Sequence, residues 1–304
     1  LCFGPASDQD RRSVETFEKG DILKLLRYGA PGQEKPALLD AGGGLRDLAG
    51  VIPDLAGKAL TSASLARIKA LSPESLPPVA GSPRIGPCVG DVRNFIAVGL
   101  NFADHAAETG SPIPKEPILF NKAPSCIIGP NDDVMIPKGS KKTDWEVELA
   151  IVIGDGGSYI AEKDAMAAVA GFCVCNDVSE REFQAERGGQ WTKGKSAPTF
   201  GPLGPWLVTP DEIADIQNLG MWLEVDGERV QNGSTGTMIF GAAYLVHYIS
   251  QFMRLDPGDV ITTGTPPGVG LGFKPPRFLK GGEVVRLGVE GLGEQKQKIV
   301  AYKG

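Results

Sequence analysis

The chain has 304 residues, 41% apolar and 22% charged, and its 37 acidic against 31 basic side chains leave a net charge of -6. That balance argues against a general binder of nucleic-acid backbones, and no apolar run approaches the roughly 20 residues that a membrane helix needs. Two histidines and five scattered cysteines exclude multi-histidine and four-cysteine metal sites, so any bound metal is expected to be a hard cation held by carboxylates. An odd number of cysteines without a C-x-x-C pair fits reduced thiols in a cytoplasm.

In chain order, residues 1–23 read as a loose extension that lacks the apolar segment of a secretory signal. Lys24–Tyr28 and Lys35–Leu39 are expected strands, Gly42-Gly43-Gly44 a turn before Leu45–Leu48, and Ser62–Leu71 a short helix with Leu65, Ile68 and Leu71 at helical spacing. The proline-rich stretch from Ser72 to Pro87 reads as a linker, so a small N-terminal α+β domain with its linker is expected over 24–86 and the main domain over 87–304. Further on, the pattern predicts strands at Trp145–Ile153 and Gly171–Asn176 and helices at Lys163–Ala170, Ser179–Arg187 and Ile239–Phe252. A hairpin is expected around Asp226-Gly227, with late strands at Val260–Thr263, Glu283–Val289 and Gln295–Tyr302. The fold class is therefore strand-rich α+β with short helices. Regular strand–helix alternation is missing, which argues against an open Rossmann sheet.

The sharpest chemical feature is Asp144-Trp-Glu-Val-Glu-Leu149. On a strand, Glu146 and Glu148 face one side, and adjacent carboxylates repel unless a cation lies between them. A solvated strand face is the plain alternative, but the apolar residues after Glu148 carry the strand into a core. Asp177, at the end of the apolar run Phe172–Cys175, is either a third ligand or a helix N-cap. Two glutamates and an aspartate can hold three positions of an octahedral ion and leave others open, an arrangement suited to magnesium. His105 and Glu108 fall at i, i+3, where the carboxylate can orient the imidazole. Gly189 to Ser196 matches the phosphate-loop pattern, yet Pro198, Gly201, Pro202, Gly204 and Pro205 leave no room for the helix that motif requires. Lys195 remains as a candidate charge in a site, with glycines around it that suggest a close backbone approach. The loop Thr262 to Gly270 could receive a carboxylate through its hydroxyls and N–H groups.

Taken in order, G-L-N-F-A-D-H-A-A-E (99–108), D-W-E-V-E-L (144–149), N-D-V-S-E-R-E-F-Q (176–184), W-T-K-G-K-S (191–196) and T-G-T-P-P-G-V-G (263–270) resemble the fumarylacetoacetate hydrolase family. The resemblance implies a mixed β-roll or sandwich-like catalytic domain, commonly dimeric. It implies Mg2+, with Mn2+ or Ca2+ as possible substitutes, on Glu146, Glu148 and Asp177. It further implies water activation by His105 with Glu108, a site lysine at Lys195, and substrate contacts from Arg181, Gln184 and Thr265. Where many relatives carry Lys-Ser-x-Asp, this chain has Lys195-Ser-Ala-Pro198, which removes a carboxylate and an N–H.

The expected activity is hydrolysis of the C–C bond of a small 2,4-dioxo acid, an acylpyruvate or a diketo-deoxy sugar acid, by a cytoplasmic homodimer with no nucleic-acid or membrane partner. A 2-hydroxymuconate-type isomerase or an oxaloacetate-type decarboxylase would use the same metal site. A non-catalytic 2-oxo-acid binder is the rival from another class.

Overall fold

The computed structural model describes residues 23–110 and 112–304. The expected extension over residues 1–23 lies, apart from Leu23, outside them. The N-terminal part holds β1 (Lys24–Tyr28), β2 (Lys35–Leu39), β3 (Leu45–Asp47) and α1 (Ser62–Lys69). Next come β4 (Phe95–Gly99), α2 (Ala103–Thr109), β5 (Ile118–Lys122), β6 (Ile127–Ile128), β7 (Val134–Ile136), β8 (Thr143–Asp144) and β9 (Val147–Ile153). β10 (Val169–Asn176), β11 (Ser179–Glu180), α3 (Thr192–Lys195) and β12 (Gly201–Val208) follow. The chain ends with β13 (Gly220–Val225), β14 (Glu228–Ser234), α4 (Ala242–Ser250), β15 (Val260–Thr262), β16 (Val284–Val289) and β17 (Gly293–Ala301).

The protein is strand-rich α+β with short helices. A ten-stranded mixed sheet runs β3-β2-β1-β12-β10-β9-β15-β4-β5, with β6 attached to β12, and a second sheet runs β14-β13-β16-β17-β7. The two pack face to face, through β12 against β17 and β9 against β13 and β16. Every residue of β9 and β10 is therefore buried, which explains why their sequences read as continuous apolar runs rather than alternating ones. The first strand extends the main sheet, with Lys24 opposite Val208 and Leu25 opposite Leu207. An ion pair of Arg84 with Asp132 also ties residues 23–86 to the rest of the structure.

Three expected helices differ. Residues 162–168 form a tight 3-10 run, because Val169 and Gly171 are drawn into the sheet opposite Ile153 and Val152. The segment 179–187 divides. Ser179 and Glu180 pair with β8, and only Glu182–Glu186 coil, as a wide π-type turn. The buried Glu180 carboxylate causes the break, since it accepts from Lys142 N and Thr143 Oγ1 instead of facing solvent. The helix expected over 239–252 begins only at Ala242, after Gly241. In the phosphate-loop-like stretch, α3 ends at Lys195 and a strand follows, so no helix N-terminus faces that lysine. Among the described residues, no helix is long and apolar enough to cross a membrane.

Candidate active site

β9 and β10 run antiparallel with Cys175 opposite Glu148 and Asn176 opposite Val147. One residue beyond the paired region, Asp177 N donates to Glu146 O (2.9 Å), so the register alone places Asp177 beside the two glutamates. Ligand-capable atoms of Glu146, Glu148 and Asp177 lie within 4.8 Å of one another. All three side chains are buried, at 6%, 1% and 1% exposure, where charge without compensation is costly.

The compensation is uneven. Lys195 Nζ pairs with Glu146 Oε2 (2.6 Å) and Asp177 Oδ2 (2.7 Å). Arg181 pairs with Asp144 (2.8 Å) and Glu146 Oε1 (2.7 Å). Lys122, buried behind the pocket, pairs with Asp177 Oδ1 (2.6 Å). Burial pushes the Glu146 carboxyl up, but Lys195 and Arg181 outweigh it and hold the group down at about 2. Glu148 has no ion-pair partner among the described residues and accepts from Gly264 N (2.9 Å). Burial, then the charges on Asp177 and Glu146, hold its carboxyl well above the ordinary value. Four buried carboxylates, counting Asp144, thus face three buried cations. This is the setting that a cation held by carboxylates stabilises, and oxygen donors alone suit a hard ion.

A cavity of about 60 Å³ opens on this cluster and is lined in part by His105, Arg181, Gln184, Lys195 and Thr265. His105 Nδ1 lies 3.0 Å from Glu108 Oε2 on the same turn of α2. The other Glu108 oxygen accepts from Gly268 N (3.0 Å). Gln184 Oε1 accepts from Arg181 Nη1 (3.2 Å). The Thr265 hydroxyl donates to Val147 O (2.8 Å) and accepts from Gln231 Nε2 (2.9 Å), so it also ties the loop to β9. All nine candidate residues are therefore brought together, eight lining the cavity and Glu108 reaching it through His105.

Glycine placement explains the approach of the Lys195 segment. A Cβ on Gly194 would meet Glu180 O at 2.5 Å and Gln184 N at 2.6 Å. Pro198 does not leave Lys195 unpaired, because Glu146 and Asp177 serve as its partners.

Sequence reasoning missed Lys122, Asp144, Asn176 and Gln231. Asp144 accepts from Arg181 Nε, Gly270 N and Leu271 N, fixing both a site cation and the loop after Gly268. Asn176 Oδ1 accepts from Glu146 N and its amide donates to Gln297 (3.1 Å), while Gln231 Oε1 accepts from Val147 N. These amides, two of them from the second sheet, hold the backbone that bears the carboxylates. Asp144 and Asn176 open two of the quoted motifs (144–149 and 176–184), which was the available signal. Lys122 and Gln231 carry no local signal, since their partners are distant in sequence.

The fumarylacetoacetate (FAA) hydrolase C-terminal family profile matches residues 94–300. A protein of Burkholderia multivorans (strain ATCC 17616 / 249), provisionally named a hydrolase, is 64% identical over 90% of this chain and 98% of its own length. The chain belongs to the fumarylacetoacetate hydrolase family, and it is an enzyme. Among solved structures, a fumarylacetoacetate hydrolase from Exiguobacterium antarcticum is 32% identical with TM-score 0.82, over 92% of this chain and 100% of that one. A 5-carboxymethyl-2-hydroxymuconate delta-isomerase from Mycobacterium smegmatis is 30% identical with TM-score 0.71, over 92% and 100%.

Proposed function

We propose that the chain is a magnesium-dependent hydrolase that splits the C–C bond of a small 2,4-dioxo acid into pyruvate and a carboxylic acid, working as a cytoplasmic homodimer. The observation that carries the reading is the convergence, on one small cavity, of an under-compensated carboxylate triad and a His–Glu pair. Glu146, Glu148 and Asp177 would hold the ion, which when bound supplies the positive charge that gathers a 2-oxo carboxylate head and accepts enolate charge.

The remaining steps belong to the chain's own side chains. With Nδ1 donating to Glu108, the neutral imidazole of His105 carries its lone pair on Nε2, where it takes a proton from water as that water adds to the C4 carbonyl. Glu108 steadies the imidazolium that results. Lys195 gives two N–H groups to Glu146 and Asp177 and keeps a third for the oxyanion at C4. When that oxyanion collapses, the C3–C4 electron pair moves to C3. The proton held by His105 then returns to C3, leaving pyruvate and the free acid. Arg181 and Gln184 orient the substrate. Thr265 contacts the head carboxylate by exchanging its bond to Val147.

Turnover of a panel of acylpyruvates with magnesium, then with excess chelator, tests the reading. Chelator-sensitive release of pyruvate and the matching acid supports it. No turnover, with saturable magnesium binding that Glu146→Ala abolishes, would keep the metal site and reject the reaction. The isomerase neighbour favours a second reading, in which the same site only moves a proton. A product with the mass of the substrate would select it.

A further inference from the structure

A second cavity, of about 260 Å³, continues outward from the first and shares Leu100, His105, Arg181, Gln184 and Trp191 with it. Its other walls are Ala185, Val269 and Leu271. The inner cavity is much the smaller, at about 60 Å³ against about 260 Å³, and it holds the charged groups, so it takes the head of a substrate and the tail occupies the outer one. Resting on the proposed 2-oxo-acid reading, we infer that the outer cavity is an apolar tail subsite that selects substrates with an uncharged alkyl or aryl tail. Tails bearing a second carboxylate or several hydroxyls are rejected.

The walls are fixed in place for this. Trp191 packs edge-on against Phe120, with ring centroids 5.3 Å apart. It lies so close to Gly99 that a Cβ there would meet its ring at 2.4 Å. Leu100 holds a left-handed backbone, φ +52°, that a leucine rarely adopts and that persists where the surroundings over-determine it. Leu271 N is anchored on Asp144 (3.0 Å) while its side chain, at 46% exposure, forms the rim.

The charges point the same way. Among the described residues, the lysine or arginine that lines the outer cavity is Arg181, already paired with Asp144 and Glu146. A divalent ion on the inner triad turns the excess of one negative charge into one positive charge, which the head carboxylate consumes. A tail carboxylate would enter without a partner, and an unpaired buried charge is strongly disfavoured. Tail hydroxyls would meet mainly the Gln184 amide and leave most of their hydrogen bonds unmade.

The test compares 2-oxohexanoate with 2-oxoadipate, equal in length and different only at the far end, by calorimetric titration of the magnesium-loaded protein. The expected result is binding of 2-oxohexanoate at least about tenfold tighter. In Leu271→Lys, which keeps the main-chain bond to Asp144, 2-oxoadipate should gain at least about tenfold. Equal or tighter binding of 2-oxoadipate by the unaltered protein overturns the tail inference while leaving the head reading intact, as does an unchanged preference in Leu271→Lys. Binding of neither acid overturns the head reading and this inference with it.

Discussion

Glu148 is the residue on which the proposed metal dependence turns. Its carboxyl is held well above the ordinary 4.5 by burial and by Asp177 and Glu146. Between 4.5 and the raised value, the metal-free folded chain keeps a proton that the unfolded chain releases, so this group's contribution to stability falls as pH rises. A divalent cation bound there, as proposed, would take the proton's place. The melting-temperature gain from magnesium is therefore expected to grow as pH rises above the ordinary carboxylate range. Glu148→Gln, which carries no charge to compensate, should lose that gain; a full magnesium response in this variant would refute the ligand assignment. His105→Ala should lower turnover by roughly 10²- to 10⁴-fold and leave magnesium binding, read by calorimetry, unchanged. Lost turnover together with lost metal binding would mark the histidine as structural. The carboxylates were legible because two glutamates entering an apolar strand need a partner. Lys122 was not, because its partner Asp177 is 55 residues away and the strands that lead to them, β5 and β10, are not neighbours in the sheet.

At the scale of elements, the loop from Gly264 to Gly272 governs how the histidine is presented. Gly268 has φ +101°, and a Cβ there would meet Val230 O at 1.9 Å, so any other residue forces the loop outward. The bond from Gly268 N to Glu108 goes with it. Gly268→Ala is expected to cut kcat by more than tenfold with little change in metal affinity, measured by steady-state kinetics beside calorimetry; unaltered kcat would show that Glu108 needs no such anchor. Strands with a continuous apolar character, β9 and β10 above all, could be read from sequence in type and nearly in extent. The turn at Glu182–Glu186 could not. Its helical spacing is real, but the inward pull on Glu180 comes from Lys142 and Thr143, which no local window contains.

For the molecule as a whole, the division between residues 24–86 and 87–304 remains a proposal about chain organisation. The two parts share a sheet through β1 and β12, and Gly154 packs so tightly on the N-terminal part that a Cβ would meet Leu60 O at 2.8 Å. A single calorimetric transition is expected for the full chain. A fragment of 87–304, with the β12 edge exposed, is expected to aggregate. Two separate transitions, or a soluble folded fragment, would show that the parts fold independently. The sandwich of two sheets was legible only through the motifs that resemble the family, because periodicity identifies strands and not their partners.

Lys195 lies between Glu146 and Asp177, and its ammonium is a counterion that cannot diffuse away. That fixed charge offsets part of the carboxylate repulsion without an ion, so the proposed loading would not have to precede folding. On the proposed magnesium dependence, a cell short of the ion would hold folded protein that works more slowly, and the enzyme would report ion supply through its rate before its survival.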